Sequence, residues 1–141
     1  MKVYVASSWR SPHQPDVVLA LRAAGHEVYD FRNPPTRSGF AWSDIDPDWQ
    51  SWTVAEYVHA LDHPLAMAGF KSDMDALRWC DACVYVLPCG RSASMELGWA
   101  VGAGKLTIAL LDDAEPELMI KMVDHICTHL GEVIQFLGGS R

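Results

Sequence analysis

Residues 82–99 read ACVYVLPCGRSASMELGW. The first six residues of this stretch are apolar, as in a buried β-strand, and the strand breaks at Pro88 and Gly90 before small hydroxyl residues lead into a helix. In an open α/β sheet such turns lie at the carboxyl ends of the strands, where ligands bind. The stretch therefore predicts both an α/β fold and a ligand site.

Glu96 is the residue of this stretch best suited to catalysis. We expect it within about the first turn of the helix, where unpaired backbone N–H groups and the helix dipole favour a charged carboxylate. Such a carboxylate is suited to act as a nucleophile. Helical spacing leaves Glu96 at the margin of the face that turns towards the sheet, which consists of Ala93, Leu97, Ala100 and Val101.

Met95 and Trp99 lie on the opposite side of the same helix by this spacing. A helix with apolar residues on two faces is seldom left exposed. The pattern predicts a homodimer or a higher homo-oligomer that packs through the Met95/Trp99 face. The alternative is that Trp99 only covers local surface.

Apolar runs and helix signals alternate along the rest of the chain and predict a single domain over residues 1–141. Strands with continuous apolar runs, joined by helices, predict a five-stranded parallel sheet in a doubly wound, flavodoxin-like α/β sandwich. A Trp/Asp-rich loop at about residues 32–52 interrupts the pattern and is predicted to be a lid, a binding loop or an oligomer contact. The predicted strands are 2–7, 26–31, 82–87, 105–111 and 125–128, and the predicted helices are 15–24, 53–61, 65–80, 92–103, 115–123 and 130–137.

Composition excludes several classes of function. The chain has 141 residues and a formal net charge of −7, which argues against binding to nucleic acid or to an anionic membrane surface. The apolar run over residues 1–6 is too short for a signal peptide or a membrane span, so we expect a cytoplasmic protein. No zinc spacing joins the four cysteines, and the sequence predicts neither a metal nor a cofactor; these residues are Cys80, Cys83, Cys89 and Cys127.

Asp73 is a second candidate carboxylate. Helical spacing predicts an apolar stripe of Phe70, Met74 and Leu77 on the helix over 65–80, with Asp73 at its margin and Asp75 pointing away. A carboxylate at such a margin is suited to acid/base catalysis if it lies near the strand ends. Spacing alone favours the alternative, a solvated residue on the flank of the helix.

These residues together resemble the nucleoside 2-deoxyribosyltransferase family, whose superfamily includes the deoxynucleoside 5′-monophosphate N-glycosidases. The resemblance is carried by the N-terminal run YVASSWR, by Asp73 eight residues before Asp81, and by SASMELGWAVGAGK at residues 92–105. It implies that Glu96 attacks C1′ of a nucleoside to form a covalent glycosyl-enzyme, and that Asp73 is the acid/base. It also implies that Tyr4 orients the nucleophile, for which ordinary strand packing is the alternative.

The resemblance further implies a site for a 5′-phosphate. Ser8 and Arg10 match the phosphate-binding residues of the monophosphate-cleaving branch, and residues of the second loop, namely Gly90, Arg91, Ser92 and Ser94, complete the cradle. Ser92 is alternatively only the helix N-cap. Transferases of free nucleosides typically carry an Asp six residues before the nucleophile, where this chain has Gly90, so a phosphorylated ligand is favoured.

Three readings of the function follow. The first is an enzyme that cleaves or exchanges the N-glycosidic bond of a small-molecule nucleoside or nucleotide, with hydrolysis slightly favoured because nothing identifies a second base site. The second is a non-catalytic module that binds or senses nucleotides. The third is a purely structural oligomer.

Overall fold

The computed structural model describes residues 1–112 and 115–139. Its contacts divide the chain into two compact units, of which the first comprises Met1–Asp30 with Trp79–Arg141 and the second comprises Phe31–Arg78. The first unit contains the sheet. A single domain over residues 1–141 stays a prediction.

The sheet has five strands, all parallel, in the order β2-β1-β3-β4-β5. This confirms the predicted α/β class and the parallel five-stranded sheet. The direction in which successive strands are added reverses between β1 and β3. The strand that follows β1 in the chain, β2, lies on one side of this pair, and the strand that follows β3, β4, lies on the other. The strands are β1 (Lys2–Ala6), β2 (Glu27–Tyr29), β3 (Ala82–Val86), β4 (Leu106–Leu110) and β5 (His125–Cys127).

Helices cover both faces of the sheet, as the doubly wound prediction requires. Helices α1 (Gln14–Ala23) and α5 (Leu130–Gly138) bury apolar residues in one core with Val3, Val5 and the even-numbered valines of β3. Helix α4 (Arg91–Gly102) contacts β1, β3 and β4 on the other face. Because side chains alternate along a strand, Tyr4, Cys83 and Tyr85 point to the α4 face.

The second unit contains helices α2 (Val54–Ala60) and α3 (Pro64–Trp79) and two short 3-10 turns, Trp42–Asp44 and Trp49–Ser51. Thr53 caps α2: its hydroxyl accepts from Glu56 N, and the Glu56 carboxylate accepts from Thr53 N. Within the predicted Trp/Asp-rich loop, Trp42 makes edge contacts with Phe40, Trp52 and Tyr57 at centroid distances of 4.8, 5.8 and 5.9 Å.

The predicted helix over 115–123 is wrong. The backbone is extended at Glu117, and only a 3-10 turn forms, over Leu118–Met122. The other predicted elements form with ends shifted by a few residues. The stop signal at Gly25 is correct, because this glycine has a φ of 89°, a left-handed conformation that favours glycine.

No helix among the described residues is both long enough and apolar enough to cross a membrane.

Candidate functional site

The carboxyl edge of the sheet between β1 and β3 is the topological switch point of the fold. In open α/β sheets this crevice is where ligands bind, because the loops that leave its two strands diverge to opposite faces. The loop after β1 carries Ser8 and Arg10, and the loop after β3 carries Gly90 and leads into α4. The two loops that carry the predicted phosphate-binding residues of the first unit therefore leave the sheet at the expected edge.

Glu96 lies deeper in α4 than the sequence suggested. The helix begins at Arg91 with Gly90 as its N-cap, so Glu96 is the sixth helical residue and belongs to the second turn. Its own N–H group is beyond the four unpaired donors of the helix start. The alternative role of Ser92 as the N-cap is wrong for the same reason, because Ser92 is the second helical residue. Glu96 is half-buried.

Two thiols report where the Glu96 carboxylate lies. Burial raises the pKa of Cys83 well above its usual range, and the charges of Cys80, Glu96 and Cys89 raise it further. Burial also raises the pKa of Cys89 to about 12, where a hydrogen bond with Tyr85 opposes the shift and the charge of Glu96 adds to it. Cys89 Sγ donates to Val86 O at 2.9 Å. Glu96 therefore lies within electrostatic range of these two thiols, of which Cys83 belongs to β3 and Cys89 to the loop after it.

Tyr4 belongs to the same face. It is fully buried on β1, paired in register with Cys83, and its ring stacks on Tyr29 at a centroid distance of 5.3 Å. Tyr4 points to the α4 face of the sheet and α4 contacts β1, so the phenol and the helix that carries Glu96 are on the same side of the sheet. The structure thus brings Tyr4 to the region of Glu96.

The loop between β1 and α1 holds Ser8 and Arg10 on a hydrogen-bonded turn. Ser8 Oγ accepts from Arg10 N at 2.9 Å, and Ser8 O accepts from Ser11 N at 3.0 Å. The tip of the turn, Trp9 and Arg10, is exposed. An exposed guanidinium on a fixed turn is available to an anionic ligand.

The start of α4 offers donors at the same edge. Arg91 and Ser92 are exposed, and the N–H groups of the first helical turn have no carbonyl of their own helix to donate to. A Cβ at Gly90 would meet nothing within 4 Å. Space for a side chain at position 90 is therefore open, so Gly90 is not required by steric crowding.

Ser94 lies on the other flank of α4. Its hydroxyl is 2.9 Å from Tyr85 OH and donates to Gly90 O at 3.2 Å. It lines a cavity of about 690 Å³ between α4 and the segment that follows β4, together with Cys89, Leu97 and Met119. Because residues two apart on a helix lie about 200° apart, Ser94 and Glu96 face away from each other. Among the predicted phosphate-binding residues, the structure separates Ser94 from Glu96.

Asp73 lies on α3, in the second unit, and is half-buried. The predicted stripe on this helix is wrong for Phe70, which is 70% exposed. The buried residues of α3 are instead small ones, together with Leu77; they are Ala66, Gly69, Ala76 and Leu77. Asp73 falls in line with Ala66, Gly69 and Ala76 by helical spacing, so it sits within the buried face and not at its margin.

Gly69 shows why small residues form that face. A Cβ at this position would lie 3.2 Å from Phe40 Cβ and 3.3 Å from Arg37 Nη1. These distances are tighter than ordinary contacts, so glycine allows the 37–40 segment to cross α3 one turn before Asp73. Arg37 was not predicted near this helix, because nothing in a polar, aperiodic loop indicates which helix it crosses.

The structure also brings to this edge three polar residues that were not predicted there, namely Ser11, His13 and Asp112. Ser7 and Ser11 are buried and bond to the end of β3, and His13 Nε2 lies 2.8 Å from Asp112 Oδ2. Their only sequence signal is their place directly after a buried strand. Among residues 1–112 and 115–139, no group of three or more His, Cys, Asp or Glu side chains is arranged to hold a metal ion.

Comparison with known proteins bears on this geometry. No family model matches the chain, and no curated protein sequence matches it. The fold is similar to that of a 2-deoxyribosyltransferase from the psychrotolerant bacterium Bacillus psychrosaccharolyticus, with a TM-score of 0.68 and 18% identity over 95% of this chain and 90% of that one. It is also similar to the CMP N-glycosidase of Clostridium botulinum, with a TM-score of 0.55 and 22% identity over 98% and 99% of the two chains.

Both enzymes share this chain's fold. The resemblance to the nucleoside 2-deoxyribosyltransferase family is thereby confirmed at the level of the fold, together with the flavodoxin-like class. The likeness spans nearly the whole length of each chain, so it includes both the sheet and residues 31–78.

Proposed function

We propose that this chain cleaves or exchanges the N-glycosidic bond of a (deoxy)nucleoside or its 5′-monophosphate, with Glu96 as the nucleophile. The observation that supports the proposal is that Glu96 lies on α4, the helix that follows β3 at the switch point and covers the face of the sheet to which Tyr4 points, in a fold shared with a 2-deoxyribosyltransferase and a CMP N-glycosidase. Nucleotides and nucleosides are thus the substrate class that fits both the place and the fold.

The chemistry is a double displacement. The Glu96 carboxylate attacks C1′ as the C1′–N bond breaks, and Asp73 donates a proton to the departing base. This leaves a glycosyl ester on Glu96. Water, or a second base, then attacks C1′, Asp73 takes up the proton, and Glu96 leaves as a carboxylate. We favour water as the acceptor. Retaining glycosidases use two carboxyl groups in these two roles, one as the nucleophile and the other as the acid and base.

Tyr4 supports this role of Glu96. A phenol fixed by stacking on Tyr29 is suited to donate a hydrogen bond to a nearby carboxylate and to hold it in one orientation. Burial of that phenol excludes water as a competing partner.

The substrate we favour carries a 5′-phosphate. Arg10 and Ser8 on the β1–α1 turn, with Arg91, Ser92 and the open space at Gly90, provide cationic and N–H donors at one sheet edge. No carboxylate occupies position 90, so nothing there repels a phosphate. Of the predicted residues, Ser94 has the least support for this role, because its hydroxyl bonds to Tyr85 on the other flank of α4.

We also propose that the chain forms a homo-oligomer through the Met95/Trp99 face of α4, on which Trp99 is half-buried. Met95 is 69% exposed on α4, and Leu118 and Met119 of the following 3-10 turn are 79% and 65% exposed. Met122 Cε lies 3.9 Å from where a Cβ of Gly98 would be, so this turn packs along the outward side of α4. Exposed apolar residues of this number on adjoining elements are typical of protein interfaces. A cytoplasmic location stays a prediction.

The decisive experiment incubates the protein with a panel of nucleosides and their 5′-monophosphates and measures released base by chromatography. We expect base release from at least one monophosphate, and none with Glu96→Ala. An inert panel, or full activity in Glu96→Ala, contradicts the proposal. Thermal-shift measurements on the same panel identify a non-catalytic binding module, because such a module is stabilised by ligand without turnover.

A further inference from the structure

The β1–α1 loop, residues 7–13, is fastened to the end of β3 on both sides of its turn. Ser7 Oγ donates to Val86 O at 2.7 Å, and Ser11 Oγ donates to Leu87 O at 3.1 Å. Both serines are buried, Ser11 to 2% exposure. A buried hydroxyl that loses its acceptor leaves an unsatisfied group, so both bonds resist local opening of the loop.

A third attachment lies beyond the turn. His13 Nε2 is 2.8 Å from Asp112 Oδ2, and Asp112 follows β4. The loop therefore leaves β1, crosses the ends of β3 and β4, and is bonded to each before α1 begins at Gln14. The His13–Asp112 pair is partly exposed, and an exposed pair contributes little to global stability. The main effect of the His13–Asp112 pair is to fix the position of the β1–α1 loop.

What these attachments hold in place is the Ser8–Arg10 turn. Arg10 N donates to Ser8 Oγ, which fixes the hydroxyl beside the backbone that carries the guanidinium. Arginine loses considerable side-chain and backbone freedom when it binds an anion from a mobile loop. A turn that is already fixed avoids the backbone part of this cost at the moment of binding.

Resting on the proposed function, we propose that Ser11 and His13 are positioning residues that lock the Ser8–Arg10 turn and so set the affinity for phosphorylated over unphosphorylated substrates. Neither residue touches the reacting atoms. They act through Leu87 and Asp112, which hold the loop across the ends of β3 and β4.

The test compares the wild-type protein with three point variants, Ser11→Ala, His13→Ala and His13→Gln. Each is assayed on a nucleoside 5′-monophosphate and on the same nucleoside without phosphate. We expect Ser11→Ala and His13→Ala to raise KM for the monophosphate about tenfold, with a smaller change for the nucleoside. His13→Gln keeps an N–H donor for Asp112 and should restore most of the affinity.

The matched control is His129→Ala. His129 Nε2 lies 3.6 Å from Glu132 Oε1 at the start of α5, in a similarly exposed pair, and this pair is not attached to the β1–α1 loop. We expect the ratio of KM values for the nucleoside and the monophosphate to be the same in His129→Ala as in the wild type. Melting temperatures of all variants are measured alongside, and His13→Ala serves as the second variant should Ser11→Ala fold poorly.

The outcomes separate this inference from the proposed function. The positioning role is overturned if Ser11→Ala and His13→Ala raise KM equally for the monophosphate and the nucleoside, so that the ratio of the two KM values is unchanged. It is also overturned if His13→Gln does not restore the KM for the monophosphate. If the wild type turns over no substrate, calorimetric binding of nucleoside 5′-monophosphate decides. Binding weakened by His13→Ala and restored by His13→Gln supports the lock while the proposed reaction fails, and binding unaffected by either overturns the lock as well.

Discussion

Helix α3 of the second unit and helix α4 of the first unit share one arrangement of polar residues. Each carries two polar residues at positions two apart, Asp73 and Asp75 on α3 and Ser94 and Glu96 on α4. Such residues lie about 200° apart, so in both helices the two side chains face opposite flanks. One member of each pair is half-buried and the other is exposed.

The difference between the helices lies in whether the large apolar residues that the sequence spacing singled out are buried. On α4, Ala93, Leu97 and Ala100 are buried, and sequence spacing placed them correctly. On α3 the large apolar residue Phe70 is exposed, and the small residues Ala66, Gly69 and Ala76 are buried. Small residues thus mark the buried flank in both helices, because they allow other backbone segments to approach closely. Glu96 and Asp73 each lie beside such residues.

The largest effect on kcat is expected from a substitution of Glu96 on α4. Glu96→Gln removes the nucleophile, and we expect kcat to fall by roughly 10³-fold or more, because no covalent intermediate can form. Single-turnover assays with mass spectrometry of the protein check both the rate and the glycosyl adduct. Ser94→Ala, two residues away, is the matched control and should keep most of the wild-type kcat. Comparable losses in the two variants would show that the flanks of α4 are not chemically distinct.

The next largest effect is expected on α3. Asp73→Asn removes the proposed acid, and kcat should fall by about 10²-fold or more for bases that need protonation to leave. Substrates with good leaving groups should be affected less. Asp75→Asn is the control, since Asp75 pairs with Lys71 and lies 3.5 Å from Arg78 Nη1 on the exposed flank. A larger loss in Asp75→Asn than in Asp73→Asn would reverse the assignment of the two flanks.

Tyr4→Phe should lower kcat by less than the substitutions of Glu96 and Asp73, because it removes only a hydrogen bond to the Glu96 carboxylate. Loss of one hydrogen bond to a charged group corresponds to about a tenfold drop in kcat, with KM little changed. Tyr29→Phe is the control because it keeps the same stacked pair of rings and removes the other hydroxyl. Steady-state kinetics of both variants decide the matter, and equal effects would assign Tyr4 to packing alone.

The smallest effect is expected in alkaline stability. Burial raises the pKa of Cys89 to about 12, so the folded chain keeps this thiol neutral at pH values where the unfolded chain ionises it. The folded state then binds more protons than the unfolded state, and stability falls as the pH rises from the unfolded pKa towards the folded one. Urea midpoints of the wild type should therefore decline from about pH 8 to about pH 10.5, and less steeply in Cys89→Ser. Parallel declines in the two proteins would contradict the assigned burial of this thiol.

Much of the fold could be predicted because its signals are local. Continuous apolar runs such as residues 82–87 specify buried parallel strands, and Gly25 and Gly104 mark helix ends by their left-handed backbone. The segment after β4 shows the limit of such signals. Leu118, Met119 and Met122 have a spacing compatible with a helix, yet only a 3-10 turn forms there.

The site was predictable where residues follow a strand and unpredictable where they depend on distant segments. Arg10 follows the end of β1 by four residues, and Glu96 lies on the helix that follows β3, so topology alone brings the segments that carry them to one edge. The buried flank of α3 depends on residues 37–40, which lie some thirty positions away in an aperiodic loop. Likewise, the bond between His13 and Asp112 joins two loops that have no shared pattern in the sequence.

The aromatic cluster around Trp42 gives residues 31–78 an optical signature. Trp42 meets the rings of Phe40, Trp52 and Tyr57 edge-on, and Trp52 Nε1 donates to Asp46 at 2.7 Å, so these chromophores are held at fixed angles in an asymmetric environment. Rings held in this way produce near-ultraviolet circular dichroism, which disappears when side-chain packing loosens. The chain thereby contains an intrinsic reporter of the packing around Trp42, readable without a label in every variant.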